Sequence, residues 1–395
     1  MSNDAPIAII GAGPAGLFAA EVLSAAGRRV VVYERMPSVA RKFLMAGRGG
    51  LNLTHSEPFA RFVTRYSEAT RHLRPMLEAF APGDLIAWAN DLGQETFVGS
   101  SGRVFPKAMK ASPLLRAWLA RLNVQGVAIK TRATWLGWRD DGALRFDING
   151  AEETVAPAAT LLALGGASWP RLGSDGSWRD ALSARGVEVT PFAPANVGFR
   201  ISWSEHFRTR FAGQPLKGVS IRRSEHVSRG DAIITDYGIE GSPLYALSAA
   251  IRAAIPTTIR IDLRPDLRHK EVEGKLARAK AGDSLSSTLR KTLGLSPVAV
   301  GLLHENGAPP RDPASLAARI KAVNLAITAP HGMERAISTA GGVSWTSVDE
   351  NLQLRAIPNT YVAGEMLDWE APTGGYLLQA CFATGAWAAR AILRR

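Results

Sequence analysis

A tight glycine turn near the start of the chain constrains the fold more than any other feature. Ile7 to Ile10 is an apolar run of strand length, followed by Gly11-Ala12-Gly13-Pro14-Ala15-Gly16. A helical stretch from Leu17 to Ala26 comes next, then a second strand from Arg29 to Tyr33. Ala15, Ala19, Val22, Leu23 and Ala26 share one helical face, and Gly27 stands where a left-handed C-terminal cap is wanted. The pattern is a βαβ unit whose helix packs on a parallel sheet. In such a unit Gly11 makes the bend, Gly13 lets the backbone approach a pyrophosphate, and Gly16 lets the helix sit close to the strand. Pro14 and Ala15 complete the turn and are expected beside the cofactor, and the helix N-terminus offers free N–H groups and a partial positive charge. Glu34 ends the second strand 18 residues past Gly16, where a carboxylate can accept hydrogen bonds from ribose hydroxyls. A dinucleotide is therefore the expected ligand.

The rest of the chain sorts into two kinds of sequence. Ser112-Pro113 reads as an N-cap and first helical position, with the helix running to about Leu122. Val127 to Lys130, Thr134 to Trp138 and Leu144 to Ile148 read as a β meander, turned by Asp140-Asp141-Gly142. Thr160 to Leu164 returns as an apolar strand ending in Gly165-Gly166. From about Val187 the strands shorten, and after Asp262 polar helices take over until Ser338, with prolines throughout. Tyr361 to Ala363 is again a strand, closed by Gly364-Glu365, and Tyr376 to Ile392 is a helix. The expected fold class is α/β: residues 1–186 and 339–395 form the two parts of one Rossmann-like binding domain. They enclose a β subdomain at 187–262 and a small helical subdomain at 263–338.

Composition narrows the setting. With 395 residues, 46% of them hydrophobic, the chain can bury a substantial core. No window offers the ~18 uncharged apolar residues of a membrane span, and Ile7 to Ile10 is preceded by no basic leader. The single cysteine, Cys381, permits neither an intrachain disulfide nor a Cys-rich metal site, in keeping with a cytoplasmic location and no bound metal. The formal net charge is +12, and residues 200–291 hold 17 lysines and arginines against 10 acidic residues. A surface of that kind gathers polyanions, so structured RNA is a candidate partner. A merely solvated, high-pI surface accounts for the same count. The sequence carries no mark of an oligomeric state.

FAD rather than NAD is read as the dinucleotide from the second half of the binding domain. Glu365 can hold ribityl hydroxyls. The helix from Tyr376, introduced by Gly374-Gly375, can point its positive end at the pyrimidine ring of a flavin and favour negative charge there. No second GxGxxG follows a strand, so NADH or NADPH is expected only as a transient reductant, with nothing to choose between them.

Several stretches taken together resemble the BaiN/YhiN-like family of bacterial flavoproteins. They are the Gly11 turn, Arg41-Lys42-Phe43-Leu44-Met45-Ala46-Gly47-Arg48-Gly49-Gly50-Leu51-Asn52-Leu53-Thr54, and Gly102-Arg103-Val104-Phe105-Pro106. Leu164-Gly165-Gly166-Ala167-Ser168 through Gly173-Ser174, Ile234-Thr235-Asp236-Tyr237-Gly238 and Thr339-Ala340-Gly341-Gly342-Val343 continue the series. Val362 to Asp368 with Thr373-Gly374-Gly375-Tyr376 closes it. The resemblance implies a glutathione-reductase-like, two-part FAD-binding domain with β and helical inserts, and reduction of a conjugated C=C bond. Two family activities, reduction of an unsaturated 3-oxo bile acid and formation of dihydrouridine in ribosomal RNA, share one logic. Each places an alkene in conjugation with a carbonyl, so hydride from flavin N5 attacks the β carbon while charge collects on oxygen and a proton completes the α carbon. Two departures stand near the expected active site. Gly47-Arg48-Gly49-Gly50-Leu51-Asn52 replaces the Gly-Gly-Gly-Arg-Cys-Asn of many relatives, and Thr235-Asp236-Tyr237-Gly238 replaces Thr-His-Tyr-Gly.

Arg35, Lys42, Val127, Gly165 and Gly166 join the turn, Glu34 and Glu365 as expected cofactor residues. So do Gly364, Gly374, Gly375 and Tyr376. Gly47, Arg48, Gly49, Gly50 and Asn52 are expected along the isoalloxazine, since glycine lets a backbone lie on a flat ring and Arg and Asn bring donors. Arg48, Asn52, His55 and Tyr376 are the candidate catalytic residues. For His55 the plainer role is a structural hydrogen bond, and for Tyr376 packing. Three functions stay open: reduction of uridine in structured RNA, reduction of a small lipophilic enone lined by tryptophans, and a non-catalytic flavin-containing RNA- or ribosome-binding protein.

Overall fold

The computed structural model describes residues 5–45, 49–280 and 282–395. The chain divides into two compact units, one formed by Met1–Ala193 with Ser338–Arg395, the other by Pro194–Ile337.

The first unit is built on a five-stranded parallel sheet ordered Thr360–Val362, Ala159–Leu162, Ile7–Ile10, Val30–Glu34, Ala128–Thr131. The central strands Ala159–Leu162 and Ile7–Ile10 are buried throughout because helices cover the sheet, and Thr160 is their one polar residue. The Pro14–Ala25 helix and the long Tyr376–Leu393 helix cross closely, and a Cβ at Gly385 would lie 2.4 Å from the Ala15 carbonyl oxygen. The last helix of the chain is thereby seated against the first.

Three local readings change. Ser112 lies inside the Ala111–Val124 helix, whose N-cap is Lys110. Ala128–Thr131 leaves the meander to pair in parallel with Val30–Glu34, because its register matches the edge left open there. The meander is completed instead by Ala151–Val155, giving a separate antiparallel sheet with Ala133–Trp138 and Leu144–Ile148.

The second unit also differs from expectation, since its β and helical stretches share one core. Its seven strands run Val323–Ile327, Thr257–Asp262, Pro215–Arg223, His226–Ile234, Gly238–Gly241, Phe199–Arg200, Ala329–Pro330. Val323–Ile327 follows the helices in sequence yet pairs with Thr257–Asp262. Leu276, Leu289 and Leu302 from the helices therefore bury beside Ile221, Ile259 and Leu325 from the sheet. The unit spans Pro194–Ile337, in place of two subdomains divided at 262 and bounded by 187 and 338. No helix among the described residues is long and apolar enough to cross a membrane.

Candidate functional site

Ligands of open parallel sheets bind beyond the carboxyl ends of the strands, and the first unit holds a cavity of about 330 Å³ there. Gly11, Gly13, Pro14, Ala15, Glu34, Arg35, Lys42, Gly165, Gly364 and Glu365 all line it. The glycines do different work. Gly11 has φ +105°, and a Cβ would lie 2.3 Å from the Ala163 carbonyl oxygen. Gly16 lies behind the wall, where a Cβ would meet the Gly11 carbonyl oxygen at 2.0 Å. A Cβ at Gly13 would meet nothing within 4 Å, so its missing side chain leaves space in the site itself.

Two acidic residues are oriented by the backbone. Glu34 accepts from the Ala12 N–H at 3.0 Å and the Met36 N–H at 2.9 Å, which aims its remaining lone pairs. Glu365 pairs with Lys42 Nζ at 2.7 Å and accepts from the Thr339 N–H at 3.0 Å. Lys42 also donates to Ser168 Oγ at 2.6 Å. Cys381 lines the cavity beside them, part-buried rather than sealed in the core, and burial pushes its thiol up to about 12. It is a neutral thiol at physiological pH.

Val127 does not belong to the site. The register sets Ala128 beside Val31 and Thr131 beside Glu34, so Val127 stands at the amino end of its strand, a strand's length from the cavity. Residues 133–137, just past the carboxyl end, line the cavity instead, together with Gly173, Ser174, Asp175, Ser177 and Trp178. Among these, Gly173 and Ser174 carried a signal through the family resemblance and the tryptophans one toward a substrate pocket, while Asp175 and Ser177 carried none. The Trp135 indole nitrogen and Arg35 Nε are buried with no hydrogen-bond partner among the described residues. Two unpartnered donors in a glycine-walled cavity fit the acceptor-rich adenosine diphosphate half of FAD.

Arg35 closes one side by pairing with Asp175 at 2.7 Å. Burial pushes the Asp175 carboxyl up, but bonds from Arg35 and from the Ser177 N–H bring it below the ordinary carboxylate value. Asp175→Asn is expected to speed release of bound FAD about fivefold, the worth of ~1 kcal/mol for a half-exposed pair. Flavin fluorescence after dilution measures that rate, and an unchanged rate would refute the role.

A second group of expected residues gathers away from this cavity. Gly375 has φ +94°, and a Cβ would lie 2.4 Å from Thr54 Cα, so glycine is needed where the Thr54–His55 strand meets the helix start. With its amide oriented to satisfy both ends, Asn52 donates to the Thr54 carbonyl at 3.0 Å and accepts from the Gly375 N–H at 3.2 Å. The Tyr376 hydroxyl donates to Glu57 at 2.5 Å, and Arg65 clamps the same carboxylate at 2.6 and 2.9 Å. Burial and the Glu57 carboxylate push the Tyr376 phenol well above its ordinary value. His55 stacks on Tyr376 with ring centroids 5.5 Å apart. Its Nδ1 accepts from the Glu57 N–H, which leaves the proton on Nε2, facing the Ser101 carbonyl at 3.1 Å. Burial lowers its pKa, so the ring is neutral.

Gly50 has φ +93° and faces Met109, whose carbonyl oxygen a Cβ would meet at 2.8 Å, while Gly49 is open. Gly166 and Gly374 lie outside the cavity lining; a Cβ at Gly166 would strike Thr339 Oγ1 at 2.5 Å. Gly47 and Arg48 fall outside the described residues. In the second unit, Tyr237 of the divergent Thr235–Gly238 stretch donates to Glu240 at 2.6 Å and stacks on His331 at 3.7 Å.

The chain is 28% identical to the 3-dehydro-bile acid delta(4,6)-reductase of Clostridium scindens, over 98% of this chain and 99% of that one. It is 26% identical to the ribosomal RNA dihydrouridine synthase of Escherichia coli, over 96% of each. Its fold is similar to that of the 3-ketosteroid delta1-dehydrogenase of Sterolibacterium denitrificans, with a TM-score of 0.55, 11% identity and complete coverage of both chains. The model of the HI0933-like protein Rossmann domain matches residues 5–391. With that match across the turn, the paired acids and the closing helix, the chain belongs to the HI0933-like Rossmann family and is an FAD-dependent oxidoreductase.

Proposed function

We propose that this oxidoreductase reduces a C=C bond conjugated to a carbonyl, with uridine in structured RNA as its substrate. The observation that carries the RNA reading is the concentration of unbalanced positive charge in one stretch, 17 basic against 10 acidic residues at 200–291. The dihydrouridine synthases among its relatives support it. A second reading, a small steroid-like enone, is supported by the full-length similarity to the bile-acid reductase.

Flavin bound at the site supplies the hydride, and NADH or NADPH replenishes it in this reading. The protein's own residues do the rest. Gly13 leaves room for the phosphates, Glu34 accepts from the adenosine ribose, and Lys42 fixes the Glu365 carboxylate. Asn52, His55 and Tyr376 act by positioning, since each is hydrogen-bonded within the protein. They hold the Gly374-Gly375 turn and the start of the long helix in place.

The test is anaerobic reduction by NADPH and, in parallel, by NADH, followed by addition of transcribed ribosomal RNA or, separately, a steroid enone, with the flavin absorbance recorded. Reoxidation by RNA with loss of the uridine double bond is the expected result. Reoxidation by the enone alone would overturn the RNA reading in favour of the second. No reduction by either nicotinamide would overturn both.

A further inference from the structure

Across the strands Val323–Ile327, Thr257–Asp262, Pro215–Arg223 and His226–Ile234, the sheet of the second unit buries one face and leaves the other open. Val219, Ile221, Ile259, Ile261, Val323 and Leu325 point into the core, while Arg222, Arg260, Asn324, Val227 and Arg229 alternate with them and are exposed. The register makes a row of the outward residues. Arg222 is directly opposite Arg260, Val227 stands beyond Arg222, and Asn324 beyond Arg260. In the neighbouring row Arg229 faces Ser220.

Strands lie about 4.8 Å apart, so the two guanidinium stems rise side by side. Like charges directly opposite one another destabilise a sheet. The nearby acids are engaged elsewhere, Asp262 by Lys321 at 2.6 Å and Asp266 by Arg229 at 3.3 Å. Among the described residues neither Arg222 nor Arg260 has an ion-pair partner. The fold thus carries a repulsive pair on an open surface, where isolated sheet stability would favour a charge of opposite sign or a neutral residue.

We infer that this open face is a docking surface for the phosphate backbone of RNA. The inference rests on the reading of RNA as substrate and assigns its contact surface. One phosphate between Arg222 and Arg260 neutralises both guanidiniums, turning the repulsion into two charge-assisted bonds. Asn324 and Ser220 flank the pair with neutral donors suited to phosphate and ribose oxygens. An acidic protein offers no comparably dense, regular line of charge. The row contains no aromatic residue on which a base could stack. The contact is therefore with the backbone and positions the RNA without reading its sequence.

The experiment compares the wild type, an R222Q/R260Q double variant and an R222K/R260K double variant. Binding of transcribed ribosomal RNA is measured from low to physiological salt, with FAD content and the rate of flavin reduction by NADPH recorded for each. The Gln variant is expected to lose about tenfold in affinity at low salt. Its log–log salt slope should flatten by about one to two, the counterions released at two phosphate contacts. The Lys variant retains the slope, and FAD content and flavin reduction are unchanged in all three. A wild type that binds RNA, with a Gln variant that binds it equally at every salt concentration, overturns the surface and leaves the substrate reading intact. A wild type with no salt-dependent RNA binding overturns both. Binding that follows the charge without reoxidation of the flavin supports the surface and overturns the substrate reading.

Discussion

Gly16→Ala is expected to destabilise the nucleotide-binding unit severely, whereas Gly13→Ala leaves it stable and weakens its hold on the cofactor. The first methyl group would sit 2.0 Å from the Gly11 carbonyl oxygen and 3.2 Å from Ile9 Cγ2. Neither the turn nor the central strand can retreat without disturbing the sheet, so the expected cost is about 3 kcal/mol or more, roughly a 10 °C fall in melting temperature. At Gly13 a Cβ meets nothing within 4 Å, and the backbone, with φ −83° and ψ −178°, is extended and open to alanine. The apo protein should melt within about 0.5 kcal/mol of wild type. In the proposed cofactor site the same methyl stands where the pyrophosphate would approach, so FAD affinity should fall by about tenfold or more, some 1.4 kcal/mol. Melting of the apo forms and flavin titration separate the effects. Full FAD affinity in Gly13→Ala would place the pyrophosphate elsewhere.

Loss of Glu365 is expected to be nearly as damaging, through the lysine it leaves behind. Lys42 and Glu365 have side-chain exposures of 28% and 12% and meet at 2.7 Å. Glu365→Gln removes the countercharge of a largely covered ammonium, and about 2 kcal/mol of stability should go with it. FAD affinity should fall in parallel, because the amide no longer holds Lys42 and Ser168 in register beside the cavity. Lys42→Met on that background removes the stranded charge and should restore most of the lost stability. Thermal melts of the two single variants and the double variant form the cycle. Strictly additive losses would show that the pair is not coupled and would sink the argument.

Much of the nucleotide-binding half was legible because its determinants are local. The spacing from Gly11 to Glu34 fixes turn, helix and acid within one βαβ unit, and Gly11, Gly13, Ala15 and Glu34 line one cavity. Val127 was misplaced because its role depended on which end of a strand faces the ligand. That is set by parallel pairing with Val30–Glu34, a long-range fact. Asp175 and Trp135 enter the cavity from a loop and a separate sheet with no fingerprint of their own. The two-part division of the insert failed for a similar reason. Val323–Ile327 returns after the helices to finish the sheet, so helices and strands that are separate in sequence share a core.

The seating of the last helix against the first bears on the order in which the protein is made. Ile7–Ile10 and the glycine turn leave the ribosome before the insert, but the sheet's edge strand Thr360–Val362, paired to Ala159–Leu162, and the cavity residues Gly364 and Glu365 emerge after it. Residues 194–337 are contiguous and hold their own core, so that unit has all its parts while the surrounding one still lacks a strand and its closing helix. Until then the first βαβ unit waits with its apolar helix face uncovered, exposed to chaperones and to misassociation. Cofactor capture is consequently a late event in the life of the nascent chain, and truncation near residue 360 should yield a protein that has a finished insert and no flavin.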